Sequence, residues 1–144
     1  MNYQLGIICA ILGAICAALA NIFGKIGMQG ISPIFATAIR SVVMMIASIT
    51  IAVLAGVHKS FATLNSKSTT MIVLSGLAGA ASWMFGFSAL ANLRATQAGP
   101  IDKMSVPIAA ILAFFILKER PTEMNWIGIG LIAVGAYLAS LPGK

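Results

Sequence analysis

The sequence predicts an all-α integral membrane protein with five transmembrane helices. Composition is the first reason: hydrophobic residues make up 60% of the 144 positions and charged residues only 8%, against roughly half and a quarter in a soluble domain. Distribution is the second: the apolar residues gather in five stretches, each near the roughly 20 residues that cross about 30 Å of hydrocarbon at about 1.5 Å per residue. The third is the lack of alternation within these stretches. A continuously apolar run selects a helix, which satisfies its own backbone where water is absent, over a barrel strand. No linker or charge block divides the chain, so residues 1–144 are expected to form a single transmembrane domain.

The first span is expected over Gln4 to Phe23. Its leading MNYQLG carries no Lys or Arg, and no clear cleavage site precedes Lys25, so it is read as a retained span rather than a signal peptide. The second span is expected over Pro33 to Val57. The stretch GVHKSFATLNSKST, residues 56–69, mixes His58, Lys59 and Lys67 with Ser, Thr and Asn, the composition of a solvated loop. Thr70 to Leu90 forms the third expected span, Ala98 to Leu117 the fourth and Asn125 to Leu141 the fifth. Between the last two lies KERPTEMN, where Pro121 is expected to stop one helix and Trp126 to anchor the next at the interface.

This topology places Lys59, Lys67, Lys118 and Arg120 on the side of the N-terminus and Lys25, Arg40, Arg94, Lys103 and Lys144 on the other. Leaving aside Lys25, Arg40 and Lys103 as intramembrane gives a mild bias toward a cytoplasmic N-terminus. So weak a bias is compatible with insertion in both orientations and equally with one fixed orientation.

Charges inside the spans are the candidates for function. A charged side chain near the centre of a span costs about 2.5 to 3.5 kcal/mol on the insertion scale and normally faces protein, water or a partner. Arg40 lies seven residues past Pro33 among apolar neighbours, too deep for easy escape to the interface. In GPIDKMSVP, residues 99–107, Asp102 and Lys103 are bracketed by Pro100 and Pro107. Pro107 has no N–H for the carbonyl of Lys103, so a kink is expected there. Adjacent helical residues sit about 100° apart, so Asp102 and Lys103 are expected to meet groups from other spans, with Arg40 and Lys25 as candidates. The functional reading makes Lys25, Arg40, Asp102 and Lys103 the wall of a hydrated cavity. The structural alternative has a helix starting at Pro100, with Asp102 at its N-terminus and Lys103 snorkelling to headgroups. Ser82, Trp83 and Phe87 belong to a helical stripe of small residues and aromatics that suits either a pocket or packing, with Trp83 and Phe87 able to stack on a ring or cation. Asn21, one turn before Lys25, completes the set as an interhelical hydrogen-bonding group.

NIFGKIGMQGISPIFATAIR, residues 21–40, and GPIDKMSVPIAAILAFFILKERPTEMNWIGIGLIAVGAYLA, residues 99–139, resemble the EamA domain of the drug/metabolite transporter superfamily. Shared features are the Lys ending the first span, the ISP opening the second with an Arg about two turns in, the Pro within the fourth, the acid of KER and the Gly-rich last span. Where family members often carry Trp two turns before the first-span Lys, this chain has Ala17. The resemblance implies an EamA-type half-transporter, most like the small five-span bacterial and archaeal members, in a prokaryotic inner (plasma) membrane. Relatives of ten spans contain two such domains in inverted topology. With an odd span number, two oppositely inserted copies reproduce an inverted repeat, so the expected partner is a second copy in an antiparallel homodimer, or a paralogous half. Gly13 with Ala17, Ala20 with Gly24, Ser75 with Gly79 and Gly135 with Ala139 have the small-xxx-small spacing suited to that contact or to packing within one chain.

Other chemistries find little support. Cys9 and Cys16 read as packing residues, and one His, two Cys and three acids supply no triad, metal set or phosphate loop. No enzyme, cofactor or metal is therefore expected. Nine Lys and Arg against three acids do not form a stripe for nucleic acid and instead suit anionic headgroups of the bilayer. The expected function is a secondary carrier for a small polar metabolite, anionic or zwitterionic because three suspected cavity cations face one acid. Alternatives are a small multidrug-type cation exporter or lipid-linked sugar flippase, although the first span lacks the acid a multidrug exporter normally uses there, and a non-transporting scaffold.

Overall fold

The computed structural model describes residues 3–57 and 64–141. Among these residues the regular structure is wholly helical: α1 (Tyr3–Gly27), α2 (Pro33–Leu54), α3 (Ser66–Asn92), α4 (Ala95–Asp102), α5 (Ser105–Leu112), a π-helical turn (Ala113–Leu117) and α6 (Glu123–Ser140). His58, Lys59 and Lys144 lie outside the described residues. Packing gathers the chain into two compact units. One combines Met1–Phe23 with Asn92–Lys144, and the other is Gly24–Ala91.

Among the described residues, four helical segments are long and apolar enough to cross a membrane: Tyr3–Gly27, Pro33–Leu54, Ser66–Asn92 and Ala95–Leu117. The last helix, α6, has 18 residues with Glu123 and Asn125 inside its first turn, which dilutes its apolar length. Nearly all large side chains of the spans are exposed, a surface that hydrocarbon solvates and water does not.

In the unit Gly24–Ala91, α1 continues beyond its expected end at Phe23 because nothing up to Gly27 breaks the ladder. Its end is a turn in which Ile31 N–H donates to Met28 O at 3.0 Å and Gly30 adopts φ +77°, a left-handed conformation cheap only for glycine. Pro33 then sits at the first position of α2, where its missing N–H costs nothing. Polar side chains inside α2 are internally satisfied: Thr37, Ser41, Ser48 and Thr50 each donate a hydroxyl to the carbonyl one turn back, at 2.7 to 2.9 Å, which keeps them compatible with lipid. The helix ends at Leu54, ahead of Gly56 at φ +68°, rather than at Val57. The expected loop of residues 56–69 is also shorter. Asn65 Oδ1 accepts from Ser68 N–H at 2.7 Å, so this N-cap starts α3 at Ser66 instead of Thr70.

In the other unit, the expected fourth span starts earlier, at Ala95, and is divided. Lys103 N–H and Met104 N–H reach back only three residues, to Pro100 O at 3.0 Å and Ile101 O at 2.9 Å, while Lys103 O accepts from Val106 N–H at 3.0 Å. The carbonyl that Pro107 cannot serve is thus satisfied by a tightened turn at Lys103–Met104. After α5 the helix widens into the π turn and stops at Lys118, at φ +59°. Pro121 therefore follows the helix end instead of causing it. Thr122 Oγ1 accepts from Asn125 N–H at 3.3 Å, and Glu123 faces the positive end of the helix dipole. These groups start α6 two residues before the expected Asn125. Helix α6 packs on α4 and α5. Ala98 and Ala136 are buried, and Phe114 meets Trp126 edge-on at 6.1 Å.

Candidate functional site

Within Gly24–Ala91, α2 and α3 bring Arg40, Trp83 and Phe87 together. The Arg40 guanidinium carbon lies 3.5 Å from the Trp83 ring centroid and 5.3 Å from that of Phe87. The two rings meet edge-on at 5.9 Å and 84°. Trp83 and Phe87 are one helical turn apart and present one face, while Arg40 comes from the facing helix. A guanidinium stacked on an aromatic face is held by cation–π attraction, worth more where water is scarce. Stacking engages the flat face of the guanidinium and leaves its N–H groups, which lie in the plane, directed sideways.

Phe87 is only 3% exposed, and the backbone of α1 closes over it at Gly24. A Cβ at Gly24 would lie 3.1 Å from Phe87 Cζ and 3.2 Å from Cε1, so the close approach needs glycine. Beside it, Lys25 Nζ donates to the carbonyl of Leu90. That carbonyl lies in the last turn of α3, where side chains can serve the helix-end carbonyls. Ser82 is exposed on α3 next to Trp83.

The other unit contains a cavity of about 490 Å³ bounded by α1, α4, α6 and the turn after α4. Its wall is made largely of Ala and Gly, including Ala17, Gly99, Gly135 and Ala136, and its polar side chains are Asn21 and Lys103. Lys103 Nζ also lies 3.1 Å from Asp102 Oδ2, and both side chains are half exposed at 52%.

This pairing corrects the expectation that Asp102 and Lys103 do not face each other. The 100° separation governs two residues within one helix, whereas α4 stops at Asp102 and Lys103 is its C-cap. From that position the four-carbon lysine stem reaches back to its neighbour. The alternative of Asp102 as an N-terminal cap also falls, since α4 begins at Ala95 and Asp102 is its last residue. Arg40, Trp83, Phe87 and Lys25 thus belong to one group, and Asn21, Lys103 and Asp102 to the other. Residue type alone does not mark the small residues as a cavity wall, although the Gly135–Ala139 and Gly13–Ala17 spacings mark α6 and α1 as helices that admit close neighbours. Cys9 and Cys16 are free and exposed. Among the described residues no three His, Cys, Asp or Glu side chains come together.

A profile of the EamA-like transporter family matches residues 4–141. A protein of Sinorhizobium sp, described as an uncharacterized transporter in the cobO 3'region, is 36% identical over 132 residues, covering 92% of this chain and 94% of the relative. No solved structure matches the chain.

Proposed function

The chain belongs to the EamA-like transporter family, and from that premise we propose that it is a secondary carrier moving a small polar metabolite by alternating access. Membership and the apolar helices make it a multi-pass membrane protein. The finer reading adds α6 as a fifth span, because Trp126 to Leu138 is apolar once the first turn is set aside. It also adds a prokaryotic cell membrane and an antiparallel homodimer, the assembly by which a chain with an odd number of spans forms an inverted pair.

Arg40 is the observation on which the proposal rests. It sits seven residues into α2, about 10 Å along the axis, and is retained there by the Trp83 face instead of extending to an interface. Retaining a charge at such depth is costly, and intramembrane ionisable groups commonly mark a solute or ion path. To that path we assign Arg40, Lys25, Trp83, Phe87 and Ser82 in one unit, and Asn21, Lys103 and Asp102 in the other. With three cations against one acid, an anionic or zwitterionic solute is favoured. Arg40 also occupies the aromatic face of Trp83 that an organic cation would use, which disfavours multidrug-type export.

Reconstitution into liposomes under a pH gradient tests the proposal with a panel of small anionic, zwitterionic and cationic solutes. Flux of anions or zwitterions is expected. Flux of cations alone would overturn the charge reading, and flux of nothing would leave only a multi-pass membrane protein. With Cys9 and Cys16 replaced, single cysteines at either terminus should label from both membrane faces if copies insert oppositely; one-sided labelling excludes the antiparallel pair.

A further inference from the structure

We propose that Lys103 and Asn21 form a seat for an oxyanion, a carboxylate or phosphate, in the cavity between α1, α4 and α6, and that Asp102 is a built-in competitor displaced from the Lys103 ammonium when the solute binds. The proposal rests on the carrier reading for the ligand's identity as a solute. It is tested by equilibrium binding, so the two fail separately.

The cavity's volume of about 490 Å³ lies within the range of small-molecule pockets. Most of its wall is Ala and Gly, and a Cβ built at Gly99 or at Gly135 meets nothing within 4 Å. Such walls suit a flat apolar body. Among the lining residues, the polar side chains are an ammonium and an amide, both able to donate hydrogen bonds, and the ammonium cannot accept one. The complement of this pair is an oxyanion.

Asp102 does not line the cavity but touches the one lining group that is charged. The acids Glu119 and Glu123 and the titratable groups Tyr3, Cys9, Cys16 and Tyr137 are likewise not part of the wall. The 3.1 Å contact is therefore the interaction that an incoming oxyanion must replace, and at 52% exposure of each side chain it is a weak tie. Position favours exchange: Lys103 lies at the turn between α4 and α5, with a flexible stem that can swing from the aspartate to the cavity.

The test uses the full chain in neutral detergent, with sodium benzoate and inorganic phosphate as probes, chloride as the reference at fixed ionic strength, and the thermal midpoint as the readout. Saturable stabilisation by benzoate or phosphate over chloride is expected. Asp102→Asn should lower the half-saturating concentration by up to about fivefold, the strength of an exposed ion pair. Lys103→Gln should raise it by about tenfold or more, the loss of a charge-assisted hydrogen bond, and Lys103→Arg should retain binding. If Lys103→Gln does not fold, Gly135→Leu, which puts a branched side chain into the cavity, should weaken the response. No anion-specific response, an unchanged or weakened Asp102→Asn, or normal binding by Lys103→Gln or Gly135→Leu would each overturn the proposal. A parallel arm in phosphatidylcholine nanodiscs separates solute from lipid: displacement of benzoate by added phosphatidylglycerol would assign the seat to a headgroup phosphate and overturn the solute assignment.

Discussion

Replacing Arg40 by Ala is expected to reduce solute flux in proteoliposomes to the level of empty vesicles while leaving insertion intact. The change removes a charge whose insertion near a span centre costs about 2.5 to 3.5 kcal/mol, so the variant should enter the membrane at least as readily. What it loses is the stack on Trp83 at 3.5 Å, worth about 0.5 to 2 kcal/mol depending on desolvation, together with the N–H groups available to a solute. Arg40→Lys keeps the charge but not the planar fork, and should recover only a minor part of the flux, because a compact ammonium cannot both stack flat and donate sideways. Wild-type flux in Arg40→Ala, measured at matched protein levels, would remove Arg40 from the solute's route.

Gly24→Leu is expected to destabilise the protein by about 1 to 3 kcal/mol, the usual cost of forcing extra atoms into a packed site. The added Cβ alone would meet Phe87 at 3.1 and 3.2 Å, and the branched remainder has to displace that ring. Phe87 is 3% exposed and set edge-on against Trp83, so the displacement is transmitted to the ring that holds Arg40. Reduced flux should accompany the loss of stability. Gly76→Leu is the matched control, since a Cβ there meets nothing within 4 Å. Equal unfolding midpoints for the two variants in mixed micelles would show that the contact between α1 and Phe87 is not close.

Much of the helical layout is legible from residue type alone. Pro33 announces the start of α2, the lack of breakers carries α1 and α3 across a bilayer's thickness, and Trp83 with Phe87 one turn later reads as an aromatic face in any helix. Element ends are less legible because they depend on single hydrogen bonds, such as that of Asn65 to Ser68, or on one residue turning left-handed, as Lys118 does. The candidate site divides in the same way. Its members are visible as charges and amides stranded in apolar runs, but their partners are not. That Lys25 serves the carbonyl of Leu90 depends on which helix end arrives beside it, 65 residues away in the chain.

By itself the sequence determined that this chain lives in lipid as long helices and that Arg40 must be sheltered by protein, because hydropathy and the cost of a buried charge are properties of residues and their spacing. Only the tertiary structure decided that Trp83 is the shelter, that Asp102 turns to Lys103, and that the small residues of α1, α4 and α6 line an open cleft. These outcomes depend on how close two backbones come and where a broken helix lets a side chain swing, and local periodicity carries neither quantity.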